Sequence, residues 1–208
     1  MTIDDCFDLF KQDKNNPVIK ELMQHFTKAL NDLGQFVMTT YNGSFVQLIR
    51  SAESSVEKLI GQLIQMPYFK EQYDYQGLSV PFYKRAQLTA ADLSIAFDNR
   101  ELGYFYDLDN LTIFADNLVP HVLRMDQILE FKPSLLAQIE NNFLIRSGSL
   151  EEIEIRACAL YAVECIREAF LNIGKKVTSY GLDYLFWNRG QQPEYKAIPR
   201  HRARSISY

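Results

Sequence analysis

The stretch GYFYDLDNLTIFADNLVPHVLRMDQILE, residues 103–130, combines aromatic rings, several carboxylates and one proline between two segments with helical spacing. Pro120 favours the first turn of a helix, because the N–H that proline lacks would have no partner there. Asp116 is therefore expected at or just before a helix N-terminus, where free N–H groups stabilise a carboxylate. This carboxylate is either a simple helix cap or a fixed negative charge that could oppose a cationic sugar transition state.

The segments on both sides of this stretch predict helices. Apolar spacing over residues 82–97, FYKRAQLTAADLSIAF, indicates one helix, in which Asp92 is expected to form an ion pair or to contact a ligand. On the other side, Lys132-Pro133-Ser134 begins a shorter helix. Residues 149–152, Ser-Leu-Glu-Glu, match a capping box and open the longest predicted helix, which ends at Gly174. A last helix is predicted between Thr178 and Gly190.

The N-terminal part of the chain predicts further helices. After Asn16-Pro17, apolar residues recur at helical spacing up to Gly34, namely Val18, Leu22, Phe26, Leu30 and Leu33. A second helix is predicted over residues 45–64, before Pro67. Residues 68–75 are expected to form a short helical turn and residues 77–81 an extended segment. We therefore predict an all-α fold in one domain, residues 1–208.

Composition excludes several classes of protein. A net charge of -4 over 208 residues argues against a general nucleic-acid or membrane-surface protein. No apolar run is long enough to span a bilayer, and no secretory pattern opens the sequence, so we expect a cytoplasmic protein. Cys6, Cys158 and Cys165 are odd in number and are expected to be reduced, buried thiols. The scattered histidines show no metal-ligand spacing, so neither a metal nor another cofactor is predicted.

The segment KAIPRHRARSISY, residues 196–208, is strongly basic in an otherwise acidic chain. Four of its residues lie within five positions: Arg200, His201, Arg202 and Arg204. Arginine binds phosphate or carboxylate through two parallel N–H groups, and histidine can add a hydrogen bond. The segment is therefore either a binding element for one such anion or a solvated basic tail. Its apolar side chains favour docking on the domain.

Five blocks of the sequence together resemble the queuosine salvage family of queuosine 5′-phosphate N-glycosidases. They follow the family's order and spacing, and a weaker similarity covers residues 45–74. The blocks are FYKRAQLTAADL (82–93), DLDNLTIFADNLVPHVLR (107–124), GSLEEIEIRACALYAVECIRE (148–168), LDYLFW (182–187) and IPRHRARSISY (198–208).

The resemblance implies an all-helical fold akin to helix-hairpin-helix DNA glycosylases. It also implies hydrolysis of the bond between the 7-deazaguanine base queuine and ribose 5-phosphate, in salvage for tRNA modification. Asp116 matches the catalytic aspartate of a Phe-Ala-Asp motif, and Lys84 matches a lysine expected near the phosphorylated ribose. The terminal motif, expected to close over the same site, contributes His201, Arg202, Arg204 and Tyr208. The other predicted substrate-binding residues are Asp107, Phe114, Asn117 and Trp187.

The sequence departs from the family pattern in two places. The Phe-Ala-Asp motif usually continues Tyr-Arg-Val-Pro-Gln, where this chain has Asn117, Leu118 and His121. Longer relatives carry a further N-terminal helical region that helps to enclose the base, and this chain is expected to be a short member without part of it. The base pocket would then be more open, use residues 104–106 and Trp187, or be completed by a second copy or a partner subunit.

Two other functions compete with a nucleotide hydrolase. A non-catalytic nucleotide- or base-binding protein of the same fold is the first alternative. A glycosylase acting on nucleic acid is the second, and the acidic net charge argues against stable nucleic-acid binding.

Overall fold

The computed structural model describes residues 1–207. The described part is 58% helix and 6% strand, which confirms a mainly helical fold and adds small sheets that the sequence did not predict. The helices are α1 (Ile3–Phe10), α2 (Pro17–Tyr41), α3 (Phe45–Ser51), α4 (Val56–Leu63), α5 (Lys84–Ala96), α6 (Leu118–Met125), α7 (Pro133–Glu140), α8 (Leu150–Asn172), α9 (Ser179–Arg189) and α10 (Pro193–Lys196). The strands are β1 (Gln72–Tyr75), β2 (Leu78–Pro81), β3 (Leu144–Ile145) and β4 (Arg202–Ala203).

Local capping residues fix the helix starts that the sequence predicted. The Asn16 side chain accepts hydrogen bonds from the N–H groups of Val18 and Ile19 at the start of α2. Ser149 accepts one from the N–H of Glu152 at the start of α8, and Thr178 caps α9 in the same way. Such caps satisfy N–H groups that have no partner inside the helix.

The predicted helix over residues 45–64 is wrong, because the structure has two helices with a break between them. Glu53 and Ser54 adopt left-handed backbone angles with φ of 51° and 59°. Ser55 then caps α4, and the carboxylate of Asp107 accepts hydrogen bonds from the Ser55 hydroxyl at 2.7 Å and the Val56 N–H at 2.7 Å. The break therefore depends on a residue about fifty positions away in the sequence.

A β-hairpin replaces the helical turn predicted at residues 68–75. Strands β1 and β2 pair antiparallel, with Tyr75 opposite Leu78. Gln76 and Gly77 connect them, and both have positive φ, as a two-residue hairpin turn requires. The extended segment predicted at residues 77–81 is confirmed.

Two large hydrophobic clusters meet at the stretch 103–130. The first cluster joins α3, α4 and α5, and the second joins α6, α8 and α9. Leu111 belongs to the first cluster, whereas Ile113 and Ala115 belong to the second. Helix α6 then continues through the second cluster with Val122 and Leu123 completely buried. The chain is thus anchored in both clusters immediately before Asp116.

The cysteine prediction is correct for Cys6 and wrong for the other two residues. All three thiols are free, and Cys6 is buried, but Cys158 and Cys165 are exposed. Their seven-residue spacing places both on one face of α8, opposite the face that carries the buried Ala159 and Val163. Within residues 1–207, no helix is both long and apolar enough to cross a membrane.

Gly103 lies where a side chain has no room. An added Cβ would lie 2.5 Å from the carbonyl oxygen of Leu93 and 2.7 Å from the Cβ of Phe97. We expect Gly103→Ala to lower the free energy of unfolding by about 1–3 kcal/mol, measured by urea denaturation. Gly34→Ala is the matched control, because its Cβ would meet no atom within 4 Å inside α2 and should stabilise the helix by about 0.5–1 kcal/mol. Equal effects of the two substitutions would contradict this account.

Candidate active site

Asp116 lies directly before α6, and its two carboxylate oxygens have different partners. Oδ1 accepts hydrogen bonds from the N–H groups of Leu118, at 2.7 Å, and Val119, at 3.4 Å. Oδ2 lies 3.2 Å from Nζ of Lys84, and the two side chains are only 14% and 12% exposed. One oxygen therefore caps the helix, as the simpler interpretation predicts, while the other forms an ion pair.

A buried arginine connects the backbone segments that carry this ion pair. Arg156 of α8 donates from Nε to the carbonyl oxygen of Ala115 at 3.0 Å. Its other nitrogens bind Glu152, at 3.0 Å, and Glu71. Glu71 in turn accepts a hydrogen bond from the backbone N–H of Lys84 at 3.0 Å. Burial lowers the pKa of Arg156, but the two carboxylates more than offset this and raise it above its usual value.

Asp183 is a second carboxylate near the pair, and the sequence analysis did not single it out. It lies on α9, is 6% exposed, and accepts a hydrogen bond from the Phe114 N–H at 2.9 Å. Burial raises the pKa of Asp183 to about 7; the charge of Asp116 raises it as well, whereas the Phe114 hydrogen bond and Lys84 lower it. The sequence signal that could have identified Asp183 is a carboxylate inside the apolar block LDYLFW, because aspartate is seldom buried unless it has a partner.

Asp116 lines a cavity of about 1620 Å³. One wall is α2, whose Val18, Leu22 and Phe26 are 62%, 45% and 39% exposed. The sequence predicted these residues as part of one helical apolar stripe, and in the structure they face the cavity beside Glu21 and His25. A second wall of the cavity includes residues 198–200 and 202–207, together with Tyr68, Arg85 and Trp187.

The basic C-terminal segment is docked on the domain and forms this second wall. Strand β4 pairs parallel with β3, with Leu144 opposite Arg202. Arg124 donates to the carbonyl oxygen of Pro199 at 3.0 Å, and Asn117 donates to that of His201 at 3.3 Å. Arg85, stacked 3.9 Å from the ring centre of Tyr68, donates to the carbonyl oxygen of Ile206. A solvated tail is therefore excluded for residues 198–207.

His201 is buried in this segment, with 1% of its surface exposed. Burial, together with the positive charges of Arg156 and Arg200, lowers the pKa of His201 to about 4, against the charge of Asp116, which raises it. The imidazole is therefore neutral at pH 7. It can exchange hydrogen bonds, but it adds no positive charge to the site.

The structure brings together most of the predicted site residues, but not all of them. Asp116, Asn117, Trp187, Arg202 and Arg204 line the cavity, and Lys84 contacts Asp116. Asp107 does not reach it, because its carboxylate caps α4. The ring of Phe114 packs against the first hydrophobic cluster, and residues 104–106 are not among the lining residues. Tyr208 lies outside the described residues.

The geometry brings a capped Asp–Lys pair to the edge of a large cavity. The basic wall of this cavity is the C-terminal segment with Arg200, Arg202 and Arg204, and such a surface suits a small anionic ligand. Among residues 1–207, no three His, Cys, Asp or Glu side chains are grouped to hold a metal ion. The family model described as "Queuosine salvage protein" matches residues 1–208. The chain therefore belongs to the queuosine salvage protein family.

Individual relatives agree with this assignment. The chain is 35% identical over 209 residues to the queuosine 5′-phosphate N-glycosylase/hydrolase of Sphaerobacter thermophilus. It is 28% identical over 218 residues to the protein of the same name from Mus musculus, and 29% identical over 219 residues to that from Bos taurus. Each comparison covers 100% of this chain and 64% of the relative.

The buried cluster around Arg156 should be important for stability. Arg156→Met leaves Glu71 and Glu152 as buried carboxylates without their cation, so we expect the free energy of unfolding to fall by about 3–5 kcal/mol. The matched control is Arg167→Met on the same helix, whose pair with Glu164 has side chains 37% and 27% exposed. That change should cost about 0–1 kcal/mol. Similar losses in urea denaturation would contradict a special role for Arg156.

Asp183 should make stability depend on pH. Its pKa is about 7 in the folded protein and 3.8 as an unperturbed group, so the folded state binds more protons between these values. Stability should therefore fall as pH rises from 4 to 7, with the full penalty present above pH 7. Asp183→Asn removes this penalty. The free energy of unfolding of the variant, relative to that of the parent, should therefore be about 2–4 kcal/mol higher at pH 8 than at pH 4.

The measurement is urea denaturation of both proteins at a series of pH values. Asp92→Asn, which removes a carboxylate exposed on α5, reports the effect of net charge alone. A difference between Asp183→Asn and the parent that does not change with pH would show that burial does not perturb this group.

Proposed function

We propose that the protein hydrolyses the N-glycosidic bond of queuosine 5′-phosphate, or of a related 7-deazaguanine nucleotide, and releases queuine for tRNA-modification salvage. The observation that carries the proposal is the Asp116 carboxylate, held by two backbone N–H groups and Lys84 where it lines the cavity. Membership of the queuosine salvage protein family and the names of the relatives support it. The proposal needs no cofactor.

The chemistry requires a negative charge near C1′ of the ribose. Cleavage of an N-glycosidic bond passes through a sugar with oxocarbenium character, which a fixed carboxylate stabilises. The electron pair of the C1′–N bond passes to the base, and a water molecule adds its oxygen to C1′. In this proposal, Asp116 accepts the proton of that water, and the departing base takes up a proton to become neutral.

The chemistry of the 7-deazapurine base makes the Asp116 carboxylate more important for catalysis. A 7-deazapurine has no N7, so protonation at N7 is not available to activate the leaving group. Stabilisation of the sugar cation and exact placement of the ribose must then supply more of the rate. Burial raises the pKa of Asp183 to about 7, so this residue does not add a second full negative charge near Asp116 at neutral pH.

The basic wall is suited to the 5′-phosphate. Arg200 and Arg202 line the cavity on the docked C-terminal segment, and their guanidinium groups can bind a phosphate through paired hydrogen bonds. Lys84 was expected near the phosphorylated ribose. Its contact with Asp116 favours a different role, in which Lys84 orients the carboxylate and the arginines bind the phosphate.

The proposed substrate is a free nucleotide rather than a nucleic acid. A net charge of -4 disfavours association with a nucleic acid, whose binding depends on cationic residues that neutralise phosphates. We place the reaction in the cytoplasm, which three free cysteines support. We also propose, from the family resemblance, that the helical framework is akin to that of helix-hairpin-helix DNA glycosylases.

Asp116→Asn is the direct test of the proposal. The variant keeps an oxygen that can accept the helix N–H groups, so it should fold like the parent but hydrolyse queuosine 5′-phosphate about 10²–10³-fold more slowly. Asp109→Asn is the matched control, because its ion pair with Lys176 is on the surface, with side chains 52% and 80% exposed. That variant should keep the parent rate.

The assay measures released base by mass after incubation with queuosine 5′-phosphate, queuosine or guanosine 5′-phosphate. Turnover by Asp116→Asn equal to that of the parent would overturn the assignment. A non-catalytic binding protein, the alternative function, would be stabilised thermally by queuosine 5′-phosphate without releasing base.

A further inference from the structure

Positively charged side chains outnumber negatively charged ones in the lining of the cavity. Cationic side chains dominate it: Arg85, Lys196, Arg200, Arg202 and Arg204. Among the described lining residues, the carboxylates are Asp116 and Glu21. In the proposed function Asp116 faces the ribose, so Glu21 is the other lining carboxylate that can meet a positively charged part of the ligand.

Glu21 lies on the α2 wall among apolar side chains. Val18 and Leu22 line the cavity beside it, and Phe26 lies farther along the same helix. The Glu21 carboxylate accepts hydrogen bonds from Arg204 through both oxygens, one of them at 3.2 Å, and its side chain is 45% exposed. His25, one turn along α2, has Nε2 4.0 Å from Oε1 of Glu21.

The ligand of the proposed function carries a matching group. In queuosine, the 7-substituent of the base is an aminomethyl group whose nitrogen bears a cyclopentenediol ring. Such an alkyl amine is largely protonated at neutral pH, as lysine is. An ammonium is repelled by the arginines of the basic wall and stabilised by a carboxylate, while its cyclopentene ring suits an apolar surface.

We propose that Glu21 binds the ammonium of the 7-substituent, and that the α2 wall selects 7-deazaguanine nucleotides with a cationic side chain. This inference rests on the proposed function and assigns its base specificity. The phosphate then binds the C-terminal segment, the base substituent binds α2, and the ribose lies at Asp116.

The Arg204–Glu21 ion pair does not prevent the ammonium of the ligand from binding Glu21. Both side chains are substantially exposed, 63% for Arg204 and 45% for Glu21. Ion pairs in such positions contribute little to stability, because water screens them and both side chains lose freedom. The ammonium of the ligand can therefore replace Arg204 at a small cost.

The test compares nucleotides that differ in the charge of the 7-substituent. The cationic ones are queuosine 5′-phosphate and 7-aminomethyl-7-deazaguanosine 5′-phosphate, and the neutral one is 7-cyano-7-deazaguanosine 5′-phosphate. Glu21→Gln should lower kcat/KM for the cationic nucleotides about tenfold relative to the neutral one, since a charge-assisted hydrogen bond is lost. Glu21→Asp, which keeps the charge, should recover part of this ratio.

Arg204→Gln separates direct recognition from a structural role. If Glu21 binds the ligand, removal of its competitor should raise the preference for cationic nucleotides, opposite to the effect of Glu21→Gln. If Glu21 only holds Arg204 and the C-terminal segment, both variants should lower kcat/KM for all three nucleotides alike. That result would overturn the inference, and so would a parent protein without preference for the cationic nucleotides.

Failure of the proposed hydrolysis can be told apart from failure of this inference. If the parent releases no base from any nucleotide, the hydrolase proposal fails, and the same comparison is made on dissociation constants measured by calorimetry. Tighter binding of the aminomethyl than of the cyano nucleotide, lost in Glu21→Gln, would still support the role of Glu21. Equal binding of the two nucleotides by the parent would overturn it.

Discussion

The site depends on one buried guanidinium. Arg156 is fully enclosed, stacks 4.0 Å from the ring centre of Phe82, and connects three separate parts of the chain. Through the carbonyl oxygen of Ala115 it fixes the residue before Asp116, and through Glu71 it reaches the backbone of Lys84. A charge in such a place must be satisfied by fixed partners, because the protein interior cannot solvate it. The partners that satisfy the charge of Arg156 therefore also hold the Asp116–Lys84 pair in place.

Burial also reduces the number of charges around Asp116. Asp183 has its pKa raised to about 7 by burial and by Asp116, and His201 has its pKa lowered to about 4 by burial and by nearby cations. Near neutral pH, both groups are thus shifted toward their uncharged forms. Neither group therefore adds its full ordinary charge near the Asp116–Lys84 pair.

A structural feature could be predicted from the sequence when the residues that determine it lie close together along the chain. The starts of α2, α8 and α9 were predicted correctly, because a cap and its N–H partners lie within a few residues of each other. The break before α4 was not, because Asp107 makes it from far along the chain. The position of Asp116 before a helix was local and predictable, whereas the perturbed pKa of Asp183 depends on the packing of α9.

The apolar stripe of α2 shows a related limit. Periodicity correctly identified one apolar face, including Val18 and Leu22, but a period does not say what covers that face. In the structure part of this face borders the cavity, where apolar surface can serve ligand binding instead of the core. Likewise, the basic composition of residues 198–207 left open an anion-binding element or a solvated tail, and the pairing of β4 with β3 that fixes the segment had no signal in the sequence.

Helix α8 presents different chemistry on its two sides. Its inner side carries the enclosed guanidinium, and its outer side carries the exposed thiols of Cys158 and Cys165. Seven residues of helix separate these thiols by about 10 Å along the axis. They therefore offer natural attachment points for fluorescent or spin labels on the helix that carries Arg156. A dye placed there would sit on the outer side of the helix whose inner side holds the site together, without an engineered cysteine.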